Sequence, residues 1–199
     1  MWQGTPSLTV EQCQDVVAEL ERINNTAQRV VTWNGSGFDY RVLAEESQLR
    51  ERCIDLMIHH IDLMFLLLAK KGWLIGFQNT LQAMQLAGKK KVVQLQDGSV
   101  ITNMGGDRAP ELWEKGEYAA VIAYNKEDSI QTLKLAQAVH HRQEIRWSAK
   151  SSGKPQRLQT PLLSVKQCME LPLPDLSWMN PDKKKTVSRR EFLAWALEK

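Results

Sequence analysis

The stretch Arg29-Val30-Val31-Thr32-Trp33-Asn34-Gly35-Ser36-Gly37-Phe38-Asp39 decides how this chain is read. Its first five residues are short, β-branched and mostly apolar, which predicts a buried strand. The next four, Asn34 to Gly37, hold two glycines, which permit a sharp turn and close backbone approach. A helix over residues 38–48 is expected to follow. Strand, glycine turn and helix make an α/β unit whose turn lies at the strand's carboxyl end, where ligands bind in open α/β sheets.

Outward from that unit the pattern is helical. Val10, Cys13, Val16, Val17, Leu20 and Ile23 recur at helical spacing, with Thr9 as cap and Gln12 in the reciprocal capping-box position. Residues 49–58 and 62–71 read as two helices separated by His59-His60, the second closed by Gly72. Residues 77–87 give another, ended by Gly88. Residues 89–108 read as a loop with turns at Asp97-Gly98 and Gly105-Gly106 and room for a short hairpin. A brief helix is expected over 109–115 and the longest over 117–141. A hairpin over 145–158 turns around Ser151-Ser152-Gly153. After Thr160 the chain is proline-punctuated and ends in an amphipathic helix over 188–199. This inventory is rich in helix and poor in strand. A buried strand at 29–33 must satisfy its backbone on both edges, and few partners are on offer.

Composition sets the outer limits. The 199 residues are 43% hydrophobic and 25% charged, as in ordinary globular proteins, which excludes intrinsic disorder and a collagen-like chain. No apolar run approaches the ~18 residues of a membrane span. Residues 61–69 come nearest, but Asp62 interrupts them. The N-terminus lacks the basic-then-apolar layout of a signal peptide, so a cytoplasmic location and no membrane partner are expected. Cys13, Cys53 and Cys168 are far apart and form no CxxC pair, which excludes a zinc knuckle and suits a reducing compartment. The net charge of +3 is compatible with nucleic acid.

Two carboxylates stand out by context. Asp39 follows the glycine turn at the start of a helix, and Asp128 lies four residues after Tyr124, on the same helical face. A phenol one turn before a carboxylate can orient a water attacking phosphate while the carboxylate holds a divalent cation.

The run Asn34-Gly35-Ser36-Gly37-Phe38-Asp39, with Leu43, resembles the second motif of the DEDD family of 3′–5′ exonucleases, which have a ribonuclease H-like fold. Tyr124 and Asp128, followed by Thr132 and Leu135, resemble the third motif of the tyrosine-containing (DEDDy) branch. His60-Ile61-Asp62-Leu63-Met64, Gly72, Leu81 and Gly88-Lys89 are similar to the intermediate segment of bacterial ribonuclease H-like proteins. The tail run Leu171-Pro172-Leu173-Pro174-Asp175 with Ser177-Trp178-Met179 is similar to that group as well.

The resemblance implies an α/β, helix-rich, ribonuclease H-like domain over residues 1–147, with 148–199 as hairpin remnant, proline-containing tail and terminal helix. It implies a phosphodiesterase in which four acids hold two Mg²⁺ or Mn²⁺ ions, one activating water and the other stabilising the leaving oxygen. Carried over, Asp39 and Asp128 are metal ligands and catalytic residues, Tyr124 orients the water, and Asn34, Gly35, Phe38 and Lys89 contact a single-stranded nucleic acid.

The family's first motif, an Asp-x-Glu on the first strand, supplies the other two acids, and residues 1–28 contain none. Glu11, Asp15, Glu19 and Glu21 sit on the first amphipathic helix and substitute poorly. The expectation is therefore a sheet incomplete in its N-terminal part and a chain with little or no activity alone. A non-catalytic nucleic-acid-binding or assembly module is the alternative, and a partner chain or second copy that completes the sheet is a third.

Blander roles compete at each residue. Asp39 also suits a helix N-terminus, and Asp128 a solvated helix face. Asp62 reads as a helix cap. His59-His60 and His140-His141 lack metal spacing, because adjacent side chains diverge on a helix. The lysine runs at 89–91 and 183–185 suit solvated loops, and the tryptophans suit packing anchors.

Overall fold

The computed structural model describes residues 7–88, 92–102, 104–149, 152–179 and 186–198. The expected contacts at Lys89, the rest of that lysine run, Ser151 and the run at 183–185 lie outside the described residues.

Helix α1 (Val10–Asn24) begins with the expected capping box between Thr9 and Gln12. Strand β1 is only Val31–Thr32, shorter than the apolar run predicts, and partly rather than fully buried. It leads into α2 (Asp39–Ser47) and α3 (Arg50–His59), which pack with α1 as a helical layer. The chain then returns as β2 (Ile61–Asp62), parallel to β1, with Val31 opposite Ile61 and Thr32 opposite Asp62. The sequence reading missed β2, because two residues between helices carry no alternation to detect. Among the described residues β1 has β2 as its one strand neighbour.

Helix α4 (Leu63–Lys71) follows directly and ends on Gly72, whose φ of 83° is the left-handed conformation glycine adopts freely. Its sequence, Leu-Met-Phe-Leu-Leu-Leu-Ala, is apolar all round, and a helix of that kind must be buried on every side. Leu63, Phe65, Leu66, Leu67, Leu68 and Ala69 are all within 1% of complete burial. Two cores meet at this helix. Phe65, Leu66, Leu68 and Ala69 pack with α1–α3 and the carboxyl-terminal elements. Leu63 and Leu67 face the second core, made with α5 (Phe77–Ala83), α7 (Tyr118–Arg142) and β5 (Glu144–Ser148).

Helix α5 stops at Ala83, four residues before the expected end, where Met84 caps it and Gln85 turns to φ 60°. A hairpin of β3 (Val93–Gln94) and β4 (Val100–Ile101) turns at Asp97-Gly98. It packs, with α6 (Ala109–Glu114), on the first half of α7 as a third core. Strand β5 pairs antiparallel with β6 (Pro155–Gln159) as expected.

Two elements differ from the sequence reading in the tail. Helix α8 (Val165–Glu170) was passed over, although Ser164 and Gln167 spell a capping box that forms in full. The terminal helix is broken at Leu193 into α9 (Arg189–Phe192) and α10 (Ala194–Leu197). Leu193 itself is 2% exposed, so burying it takes precedence over a straight helix.

Candidate functional site

The turn after β1 is built by close approach. Asn34 takes φ 72°, a left-handed conformation that its short amide side chain tolerates. A Cβ on Gly35 would lie 2.5 Å from Thr32 Oγ1, so only glycine fits. The main-chain N–H groups of the turn are all engaged within the protein. Those of Asn34 and Ser36 donate to Asp62 at 3.0 Å, and that of Gly35 donates to Thr32 Oγ1 at 3.2 Å. Gly37 and Phe38 donate to the Asn34 carbonyl at 3.2 and 3.0 Å. The turn therefore offers no spare N–H to a phosphate, and contact with a ligand falls to side chains.

Asp62 is the organiser of this turn. It is 1% exposed, and its Oδ1 accepts from the N–H groups of Asn34, Met64 and Phe65 while Oδ2 accepts from the Ser36 N–H and hydroxyl. Five donors fill both oxygens, so Asp62 caps α4 and ties it to the turn, as the cap reading expects.

Beneath the turn lies His60, 2% exposed. Its Nδ1 meets the Met57 carbonyl, which can only accept, so Nδ1 carries the proton; Nε2 then accepts from the Thr32 hydroxyl at 3.0 Å. The Tyr40 ring packs on it at 4.6 Å between centroids. Burial pushes the imidazole pKa below its usual value, against the opposing pull of the Asp62 charge and the Met57 carbonyl.

Asp39 and Asp128 line one groove of about 1020 Å³ between β1, α2, α6 and α7. Asp39 is the first residue of α2 and reaches solvent along this groove. The enclosing walls strip it of part of its hydration, which raises its pKa; its own main-chain N–H lowers it and the Asp62 charge raises it further. Asp128 projects from α7 and is half-buried. Phe38, 60% exposed, stands on the lip.

Tyr124 stands one turn before Asp128 on α7, beside Val121, which belongs to the third core and also lines the groove. It is 2% exposed and packs in the third core among Val93, Met104, Leu112, Ala120 and Val121, and it is not among the residues that line the groove. The sequence reading passed over Glu114, which does line it, because position 114 carries no motif.

The resemblance implies a two-ion centre that lacks two of its four acids. Asp39, Glu114 and Asp128 all face the groove, but among the described residues no three His, Cys, Asp or Glu side chains converge where one ion could sit. Asp62 cannot help, since both its oxygens are occupied. A four-carboxylate, two-ion site does not fit these residues by themselves.

Comparison with known proteins gives one match. The family profile of the RNase H superfamily covers residues 7–140, which takes in β1, the turn, the three groove carboxylates and α7 up to its last turn. This chain belongs to the RNase H superfamily. No curated protein and no solved structure matches it. The helix-rich α/β architecture with its short parallel pair is compatible with an RNase H-like fold. Membership points to nuclease-type activity on a nucleic acid, and RNase H-like nucleases generally use divalent metals. No helix among the described residues is long and apolar enough to cross a membrane.

Proposed function

We propose that this RNase H-like chain is a 3′–5′ exonuclease-type phosphodiesterase domain that binds single-stranded nucleic acid in the groove between β1 and α7, and that its 199 residues turn over slowly or not at all by themselves. One observation carries the reading: Asp39 and Asp128, from the beginning and end of the matched region, line the same groove. The donor set accounts for the second half of the proposal, because phosphoryl transfer depends on positioned charge and, among the described residues, no three of the acids converge on one ion. Asp39 and Asp128 are the candidate ligands for Mg²⁺ or Mn²⁺, Phe38 on the lip is the candidate stacking surface for a base, and Tyr124, one turn before Asp128 on α7, is the candidate to orient the attacking water. The remaining acids would come from a further segment, a partner chain or a second copy.

A labelled single-stranded oligonucleotide incubated with the chain and Mn²⁺ tests this. The expected result is salt-dependent binding with little trimming. Brisk trimming from the 3′ end that disappears in Asp128→Ala would mean the site is complete as it stands. A non-catalytic binding or assembly module is the second reading, favoured by the missing third ligand. Absence of binding at low salt counts against both.

A further inference from the structure

The carboxyl-terminal elements reach back to the site. Ser188 caps α9 through a full capping box with Glu191, which sets the helix start. The next residue, Arg189, is 8% exposed and donates to four carbonyls: Met169 at 3.0 Å, Leu171 at 2.6 Å, Pro172 at 2.6 Å and Ala69 at 3.2 Å. It thereby fastens α9 to the last turn of α4, where a cation also complements the helix dipole. At the other end of the segment, Arg50 from α3 donates to the Trp195 and Glu198 carbonyls at 2.5 and 2.6 Å. Two guanidinium groups thus pin a segment of about ten residues whose own helices are too short to persist alone.

What the pinned segment touches is the turn ahead of Asp39. The Trp195 indole N–H donates to the Ser36 carbonyl at 2.7 Å. The Phe192 ring packs on Phe65 at 5.5 Å between centroids, and its Cζ is 2.8 Å from where a Cβ on Gly37 would be. Ser36 is therefore gripped from both sides: Asp62 takes its N–H and hydroxyl, and Trp195 takes its carbonyl.

We propose that the carboxyl-terminal segment is a built-in clamp on the Asn34–Gly37 turn, with Trp195 and Phe192 as positioning residues that set how Asp39 enters the groove. The functional weight of the clamp rests on the reading of Asp39 as a site residue, but its mechanical action does not. Asp39 follows the turn by two residues and begins a helix whose Tyr40 N–H donates to the Gly35 carbonyl of that turn. A turn released on its carbonyl side lets the first turn of α2 fray and loosens the placement of the Asp39 carboxyl in the groove.

Trp195→Phe in the full chain tests the clamp, since it keeps an aromatic ring against the first core and removes the donor with part of the indole volume. Amide exchange at Gly37, Phe38 and Tyr40 should accelerate roughly tenfold, the worth of about one net hydrogen bond, with α4 unchanged. Phe192→Leu, which keeps an apolar contact, should give the same local signature if the first variant folds poorly. Acceleration spread evenly over α4 and the turn would reduce Trp195 to a general packing residue and overturn the proposal. So would no change at all. Local loosening with oligonucleotide binding absent from both the wild type and the variant would uphold the clamp and sink the nucleic-acid reading of the groove.

Discussion

Asp62 accepts both the main-chain N–H and the hydroxyl of Ser36, and this joins the turn before α2 to the amino-terminal end of α4. One buried carboxylate therefore ties the turn that precedes Asp39 to the helix that the first two cores share. Its five donors make it structural even though an acid in that position invites a metal-binding reading.

Asp62→Asn should accordingly be a folding variant before it is a functional one. An amide keeps one acceptor oxygen and presents an NH₂ group to donors on the other side. The loss of charge-assisted bonds should cost roughly 3 kcal/mol. Urea unfolding with an unchanged m-value is the measurement; a stable Asp62→Asn chain would show that the five bonds contribute little.

His60 gives the fold an acid-sensitive point. Its native pKa lies below the usual 6.5, so the unfolded chain binds a proton over a range of pH in which the native chain does not. Stability should be full above about pH 6.5 and fall as pH drops from there toward the depressed native value. His60→Gln should flatten that part of the curve. Urea midpoints compared at about pH 7.5 and about pH 5.5 would decide it, and equal slopes in both chains would contradict the assignment.

The all-apolar stretch of α4 should be the most costly place to remove volume. Leu66 is fully buried in the first core, so Leu66→Ala should lose about 2–5 kcal/mol, depending on how far the neighbours collapse. Chemical denaturation measures it directly, and a loss under about 1 kcal/mol would imply a loosely packed core.

Several of these features were legible in the sequence and several were not, for physical reasons. The capping box at Thr9, the glycine stop at Gly72 and the hairpin of β5 and β6 rest on local chemistry, which a sequence displays. The turn at Asn34–Gly37 was legible for the same reason, because glycine content is a local signal. Strand β2 was not, since two residues become a strand only when Val31 and Thr32 lie beside them. The break at Leu193 likewise follows from a core that the terminal residues join from a distance. At the site, Asp39 and Asp128 could be picked out by motif, whereas the grip of Trp195 on Ser36 spans most of the chain and leaves no local trace.

Asp39 itself should show the tension between stability and use. Its native pKa is raised above 3.8, so the unfolded chain releases the proton first as pH rises, and holding the ionised carboxylate in the groove costs native stability at neutral pH. The penalty is absent below about pH 3.8, grows as pH climbs toward the native value, and is constant above it. Asp39→Asn, which has nearly the same shape and no charge, should therefore melt slightly higher than the wild type near pH 7, solvent at this exposed site screening most of the effect. Its advantage should shrink as pH is lowered toward about 4. The same variant should weaken any Mn²⁺-dependent retention of an oligonucleotide. Thermal melts across that pH range, run beside a Mn²⁺ titration, give both readouts from one protein. A variant that melts lower at neutral pH would mean that Asp39 is held by favourable contacts, and that its carboxylate is a helix-start residue and not one poised for a ligand.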